Sequence, residues 1–281
     1  GKSTLVNALV GQKVAIVSAK PQTTRARIMG IAIEGSAQIL LVDTPGIFEP
    51  RRRLDRAMVA AAWTGAQDAD LILLVIDAAA RPSDEVERII TALHERQHPL
   101  VLVLNKIDLV KKEKLLTLSA ELTQRLKPTH VFMVSAAEGD GVLDLKHTLA
   151  AAMPPGPWLY PEDEVSDATD RMVAAELTRE QIVNQLHQEL PYATAVETET
   201  WNDREDGSTE IRQQILVERD SQKAIVIGKN GQRLKAIGSA ARAEIMQHLG
   251  RPVHLHLHVK VRARWDEDRD LYREIGLEWT D

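Results

Sequence analysis

Between Asp70 and Ala152, short apolar runs alternate with longer segments of helical periodicity, and few folds accommodate that rhythm. Asp70 to Ile76, Leu100 to Leu104 and His130 to Val134 read as strands. Ser83 to Arg96, Val110 to Leu126 and Leu143 to Ala152 read as helices. Such repeats fold as a mostly parallel sheet with helices on both faces. Upstream, Ile28 to Ile33 and Gln38 to Val42 flank Glu34-Gly35-Ser36 as a hairpin, and a helix follows from about Leu54 to Gly65. In sheets of this class, ligands sit on the loops leaving the C-terminal ends of the strands.

Those loops carry chemistry. Asp43-Thr44-Pro45-Gly46 follows Ile39–Val42; there, Asp43 can approach Mg²⁺ and the Gly46 N–H a terminal phosphate. Asn105-Lys106-Ile107-Asp108 follows Leu100–Leu104. A carboxylate at Asp108 can accept from the paired N–H donors on the edge of guanine, donors that adenine lacks. Ser135-Ala136-Ala137 closes the next strand, where backbone N–H groups can approach a guanine carbonyl. The chain opens on Gly1-Lys2-Ser3-Thr4 and a helical run, the right half of a G-x-x-x-x-G-K-[ST] phosphate loop. Lys2 can reach phosphates and the Ser3 hydroxyl can ligate Mg²⁺. Alone, Gly-Lys-Ser would be only a helix cap; its place ahead of the other loops gives it meaning. In the polar loop 12–27, a threonine, Thr23 or Thr24, can join Mg²⁺ when the γ-phosphate is present, which makes a switch. The first glycine of the loop and its supporting strand are not in the sequence. A truncated first domain, destabilised and weak in nucleotide binding, is therefore expected of the 281-residue chain.

Three prolines in Pro154-Pro155-Gly156-Pro157 cannot continue the preceding helix, so residues 153–165 read as a linker between a domain at 1–152 and another at 166–281. The second domain reads helix (Arg171 to Leu190), strand (Ala193 to Trp201), strand (Glu210 to Arg219), helix (Ser221 to Ile227), helix (Gln232 to about Leu249) and strand (Val253 to Trp265). Gly228-Lys229-Asn230-Gly231 joins the two adjacent helices. That arrangement is the KH signature for gripping single-stranded nucleic acid, and the helix-first order fits the type II form. Net charge is −6, which argues against nucleic acid until its distribution is read. From Arg219 to Arg264 ten Lys or Arg face only Asp220 and Glu244, a local excess suited to a polyanion. Lys223, Lys229, Arg233 and Lys235 flank the loop with Asn230. His254, His256 and His258 alternate with apolar residues and share a face with Lys260, Arg262 and Arg264, so they read as a solvated strand face and not a metal site. No cysteine is present, which excludes disulfides and thiolate metal sites.

These loops, with Gln22-Thr23-Thr24-Arg25, Tyr160-Pro161-Glu162-Asp163, Glu189-Leu190-Pro191-Tyr192 and Ile227-Gly228-Lys229, resemble the Era family of translation-factor-related GTPases over nearly the whole chain. The resemblance implies a P-loop GTPase domain followed by an α+β type II KH domain. It implies Lys2 on phosphates, Ser3, Asp43 and Thr23 or Thr24 on Mg²⁺, Asn105 bracing the base pocket, Lys106 covering the base, and Ser135 and Ala136 lining it. It also implies GTP as substrate and hydrolysis to GDP. The expected partners are the 3′ end of small-subunit rRNA and the small ribosomal subunit during its assembly. The expected location is cytoplasmic, with peripheral attachment to the inner face of the cell membrane. Ile47 stands where Ras-like GTPases place a water-orienting glutamine, so slow hydrolysis helped by a partner or a monovalent cation such as K⁺ is expected, and no catalytic residue is assigned. Two other readings remain open on the residues alone: a GTPase regulator with a protein-binding second domain, and an RNA-binding module whose GTPase domain is inactive.

Overall fold

The computed structural model describes all residues except 19, 21–23, 26, 27, 51, 81, 95–97, 188, 189, 276, 280 and 281, and leaves out the side chains of 94, 273 and 274. Gln22, Thr23 and Glu189, all singled out above, lie outside the described residues, as does the end of the helix drawn to Arg96. The chain forms two compact units, Gly1–Ala15 with Thr24–Asp167, and Ile16–Thr23 with Ala168–Trp279.

In the first unit, α1 (Lys2–Val10) stops at Gly11, whose φ of 84° only glycine adopts at low cost. Asn7 then fixes the exit of the helix. Its amide donates to the Ala15 carbonyl at 2.8 Å and accepts from the Val14 and Ala15 N–H groups at 2.9 Å. β1 (Ile28–Glu34) and β2 (Ala37–Asp43) pair as an antiparallel hairpin, with Ile28 opposite Asp43. β3 (Ile72–Asp77), β4 (Leu100–Asn105) and β5 (His130–Val134) form a parallel sheet in the order β3-β4-β5. Their register aligns Asp77 with Asn105 and Asn105 with Val134, so all three strands end at one level. That common edge positions the loops.

β4 is covered on both faces, as its unbroken apolar run requires. Val101 and Val103 pack with Leu5 and Leu9 of α1, Ile39 and Leu41 of β2, and Leu145 and Leu149 of α5 (Val142–Ala152). Leu102 and Leu104 face the other way, against Ile90 of α3 (Asp84–His94) and Leu118 and Leu122 of α4 (Lys112–Leu126). Each such side chain contributes roughly 1.5–3 kcal/mol of burial. α2 (Arg53–Asp68) precedes β3. The hairpin and the parallel sheet are separate among the described residues. A cavity of about 260 Å³, lined by Leu40–Val42 of β2 and by Leu73–Val75 of β3, lies between their facing edges.

The stretch read as a linker, residues 153–165, belongs to this first unit. Gln38 holds it, donating to the Tyr160 carbonyl at 2.9 Å and accepting from the Leu159 and Tyr160 N–H groups at 2.9 and 3.1 Å. Ser166 bridges Gly30 in antiparallel fashion and the Ile31 N–H donates to the Val165 carbonyl at 2.9 Å. Proline-rich composition stops a helix, but it leaves enough N–H and C=O groups to run along a strand edge.

The second unit stacks α6 (Asp170–Gln185), α7 (Asp220–Ile227) and α8 (Gln232–Leu249) on a sheet ordered β6 (Thr194–Asp203), β7 (Thr209–Val217), β8 (Val253–Val261). β7 is antiparallel to β6 and parallel to β8. Ile182, Ile215, Val226, Ile237 and Val259 make the core. Within it, the Thr178 hydroxyl donates to the Gln213 Oε1 at 2.6 Å, so a polar pair is buried with its hydrogen bonds made. In the stretch grouped with this unit, the Val17 N–H donates to Glu180 Oε1 of α6 at 2.8 Å.

The structure departs from the expected bounds at two elements. The first helix ends at Gln185, not Leu190, and a 3₁₀ turn spans Leu190–Ala193. β8 ends at Val261, not Trp265. Arg264 takes a left-handed φ of 56°, and Trp265 turns into the core, where its indole N–H donates to the Ala193 carbonyl at 3.3 Å. Burial of the indole outweighs continued alternation. α9 (Arg269–Glu274) follows.

Candidate functional site

The N-terminus of α1 and the C-terminal ends of β2, β4 and β5 bring the motif residues of the first unit to one rim. Ser3 Oγ lies 2.9 Å from Thr24 Oγ1, and the Thr24 hydroxyl donates to Asp43 Oδ2 at 3.3 Å. Thr24, one of the two threonines left open by sequence, meets Ser3 and Asp43, while Thr23 lies outside the described residues. Asp43 is 1% exposed, and its Oδ1 has no hydrogen-bond partner among the described residues. A buried carboxylate oxygen left free beside two hydroxyls suits a hard cation that takes oxygen ligands. No group of three or more His, Cys, Asp or Glu able to hold a metal occurs among the described residues. The hydroxyls of Ser3 and Thr24 would therefore have to supplement one carboxylate. Lys2 Nζ stands 3.8 Å from where a side chain on Gly46 would begin, so phosphate loop and Gly46 loop face one space. Thr4 is half-buried on the first turn of α1, Pro45 is buried, and the Thr44 methyl packs toward Gly65 of α2.

Burial holds the Asp43 carboxyl above its ordinary value of 3.8, against the opposing pull of the Ser3 hydroxyl, the Lys2 ammonium and the Thr24 hydroxyl. A carboxyl raised in the folded state binds its proton more tightly there than in the unfolded chain. It thus favours the fold at acid pH, and that contribution is lost as pH rises through the folded value. Wherever that carboxyl is ionised, the fold carries the penalty of a buried, half-satisfied charge. Asp43→Asn removes it and is expected to raise the ligand-free melting midpoint by roughly 3 °C, the shift of about 1 kcal/mol in a domain of this size. The gain should shrink as the pH approaches 4. A lower midpoint at pH 7, measured by circular dichroism, would mean that the charge is already compensated.

The other end of the rim is built around Asn105. Its Oδ1 accepts from the Lys106 N–H at 2.8 Å and from the Ala136 N–H at 3.0 Å, tying the loops after β4 and β5 together. The first of these bonds accompanies an uncommon left-handed φ of 65° at Lys106. The Ser135 hydroxyl donates to Asp108 Oδ1 at 2.6 Å, which orients that carboxylate. A Cβ on Gly1 would lie 2.8 Å from the Asn105 amide nitrogen, so only glycine lets the phosphate loop approach the base-side loop this closely. Ile47 offers no polar group, and it lines the apolar cavity. Sequence reading passed over Asp77, whose Oδ2 lies 2.6 Å from Lys106 Nζ. Its only sequence signal is an acidic residue closing an apolar strand.

In the second unit, the Gly228–Gly231 loop departs from helical geometry in a way side chains oppose. Gly228 has φ 73° and ψ 177°, a region essentially reserved for glycine, and a Cβ there would meet Arg233 Cβ at 2.7 Å. Lys229, Asn230, Arg233 and Lys235 are exposed around it, and Lys223 is half-buried. None of these four cations forms an ion pair among the described residues. Arg251, by contrast, pairs with Asp203, Arg262 with Glu197 and Asp268, and Arg264 with Glu267. Four of the ten basic residues counted along the chain thus flank the glycine loop without an ion pair among the described residues. The histidine face also gains carboxylates from neighbouring strands, Glu210 near His256 and Glu199 near His258.

A nucleotide rim of this build on an α/β sheet, with a glycine-loop helix pair in the same chain, defines a GTPase domain joined to a KH domain. Residues 1–106 match the family described as 50S ribosome-binding GTPase, and residues 189–266 match the KH domain. The chain belongs to the Era GTPase family. GTPase Era of Afipia carboxidovorans is 60% identical over 279 residues, covering 99% of this chain and 91% of that relative. A crystal structure of Era in complex with MgGDPNP and nucleotides 1506–1542 of 16S ribosomal RNA superposes with a TM-score of 0.92 at 37% identity, covering 98% of this chain and 94% of that one. A structure of an Aquifex aeolicus Era variant bound to GDP·AlF4⁻ gives the same TM-score, identity and coverage.

Proposed function

We propose that this GTPase binds the 3′ end of small-subunit rRNA through its KH unit and assists small-subunit assembly under control of its nucleotide. The observation that carries the reading is a set of basic side chains, in no ion pair among the described residues, around a glycine-only loop, in a chain whose other unit gathers guanine-nucleotide motifs on one rim. The MgGDPNP and 16S rRNA bound by the related Era support the same pairing of ligands.

In this reading Lys2 and the N–H groups of Gly1 to Thr4 hold phosphates, with the α1 N-terminus adding its dipole. Asp43, Ser3 and Thr24 would hold Mg²⁺, which neutralises charge on the phosphates. Thr44 and Pro45 shape the turn that aims the Gly46 N–H at the γ-phosphate. Asp108, fixed by Ser135, reads guanine, Lys106 covers its face, and Ala136 lines the pocket beside it. Ile47 cannot orient water, so an external group, a partner or a K⁺ ion, would complete hydrolysis. No helix among the described residues is long and apolar enough to cross a membrane; peripheral attachment to the membrane's inner face remains part of the proposal.

Control by the nucleotide means that affinity for rRNA depends on which nucleotide the first unit holds. The test is rRNA binding at rising salt with a GTP analogue and with GDP. Log affinity should fall linearly with log salt, with a slope near −0.7 for each phosphate contacted, and should differ between the two nucleotides. Salt-insensitive binding would favour a protein-binding second domain, and equal affinities with both nucleotides would remove the coupling.

A further inference from the structure

Asp77 closes β3 directly opposite Asn105 in the parallel register, one residue before Lys106. Its carboxylate is doubly engaged. Oδ1 accepts the Ala79 N–H at 3.0 Å, and Oδ2 receives the Lys106 ammonium at 2.6 Å. The turn that follows is tied to the same strand, since the Ala78 N–H donates to the Asn105 carbonyl at 2.9 Å. Asp77 is therefore held by its own turn, and Lys106 is held by Asp77.

Lysine is a poor choice for covering a flat ring unless its far end is restrained, because a four-carbon stem has many rotamers to lose. A restraint in place before the ligand arrives moves that cost out of the binding step. Both side chains remain partly exposed, 44% for Lys106 and 37% for Asp77, so the stem stays reachable by a ligand while its tip is tethered. Burial pushes the Asp77 carboxyl up, but hydrogen bonds from Lys106 and the Ala79 N–H outweigh it and keep the group below 3.8, ionised at neutral pH.

We infer that Asp77 is a positioning residue for guanine-nucleotide retention: it pre-sets Lys106 across the base face and so slows nucleotide release. The inference rests on the reading of Asn105 to Asp108 as the base-side loop. It differs from the part played by Asp108, because a ring cover loosens every purine alike whereas an edge contact discriminates among them.

The experiment is displacement of fluorescent GDP from the 281-residue chain, followed by stopped flow, for wild type, Asp77→Asn, Asp77→Glu, Lys106→Ala and the Asp77→Asn/Lys106→Ala pair. Asp77→Asn should release GDP roughly three- to fivefold faster, the scale of a partly exposed ion pair. Asp77→Glu should stay within about twofold of wild type, and Asp77→Asn should add less than about twofold once Lys106 is gone. Release of fluorescent inosine diphosphate should accelerate by the same factor as that of GDP. Asp77→Ser, which keeps a small polar group for the Ala79 N–H, repeats the measurement if Asp77→Asn melts early. Wild-type release from both Asp77→Asn and Asp77→Ser, or fully additive effects in the double variant, overturns the inference. If Lys106→Ala itself leaves release unchanged, the base-loop reading fails, and the inference with it.

Discussion

Asp108→Asn is expected to lower GDP affinity by roughly 10²–10⁴-fold and to create affinity for xanthosine diphosphate. The carboxylate in the proposed site accepts from two N–H donors on guanine, and hydrogen bonds to a charged group are worth about 1.5–3 kcal/mol each. Every 1.4 kcal/mol is about tenfold in affinity. An amide keeps one acceptor and turns its NH2 toward the second donor, so guanine loses a bond and meets a clash of donors. Xanthine carries an oxygen where guanine has its amino group, and that oxygen accepts from the new NH2. The Ser135 hydroxyl, which bonds Asp108 Oδ1, can equally bond an amide oxygen, so the loop should keep its shape. Isothermal titration with GDP and xanthosine diphosphate reads both effects. Unchanged GDP affinity would remove Asp108 from the base pocket.

The second large effect concerns the glycine loop. Lys229→Asp combined with Asn230→Asp should lower affinity for a 16S rRNA 3′-end oligonucleotide by about 100-fold or more, since a KH loop brings its backbone against phosphates and each lost cation lowers the salt slope. Both side chains are exposed and their backbone hydrogen bonds do not depend on them, so the fold should survive. GTP affinity, measured on the same sample, should stay within about twofold because the substitutions lie in the other compact unit. RNA binding unchanged by reversing these charges would move the nucleic-acid surface elsewhere.

The nucleotide rim was legible because each of its parts uses local spacing at the end of an apolar strand. Asn105, Lys106 and Asp108 are neighbours in sequence, and their setting after Leu100–Leu104 predicts where they face. The helix Gln232–Leu249 could likewise be bounded by the glycines at 231 and 250, both left-handed in the structure. What escaped depends on partners far along the chain. Asp77 gains meaning only through the β3–β4 register that sets it beside Lys106. Residues 153–165 read as a spacer from their prolines, yet Gln38, more than a hundred residues earlier, supplies the hydrogen bonds that dock them. The end of β8 was missed because alternation continues past Val261 on paper, while Trp265 finds the core and breaks the strand. The basic excess is not all at hand for a ligand. Arg251, Arg262 and Arg264 are engaged by carboxylates from β6 and the C-terminal turns, and no one-dimensional count reveals that.

In the proposed function, phosphate-side and base-side loops form one cradle for a single guanine nucleotide. A crystal structure of the GDP complex tests this most directly. The prediction is one GDP with its ring edge on Asp108, its face under Lys106 and its β-phosphate at Lys2 and Ser3. A nucleotide bound with its ring away from Asp108 while its phosphates occupy Lys2, or with the two residues lining different cavities, would contradict it.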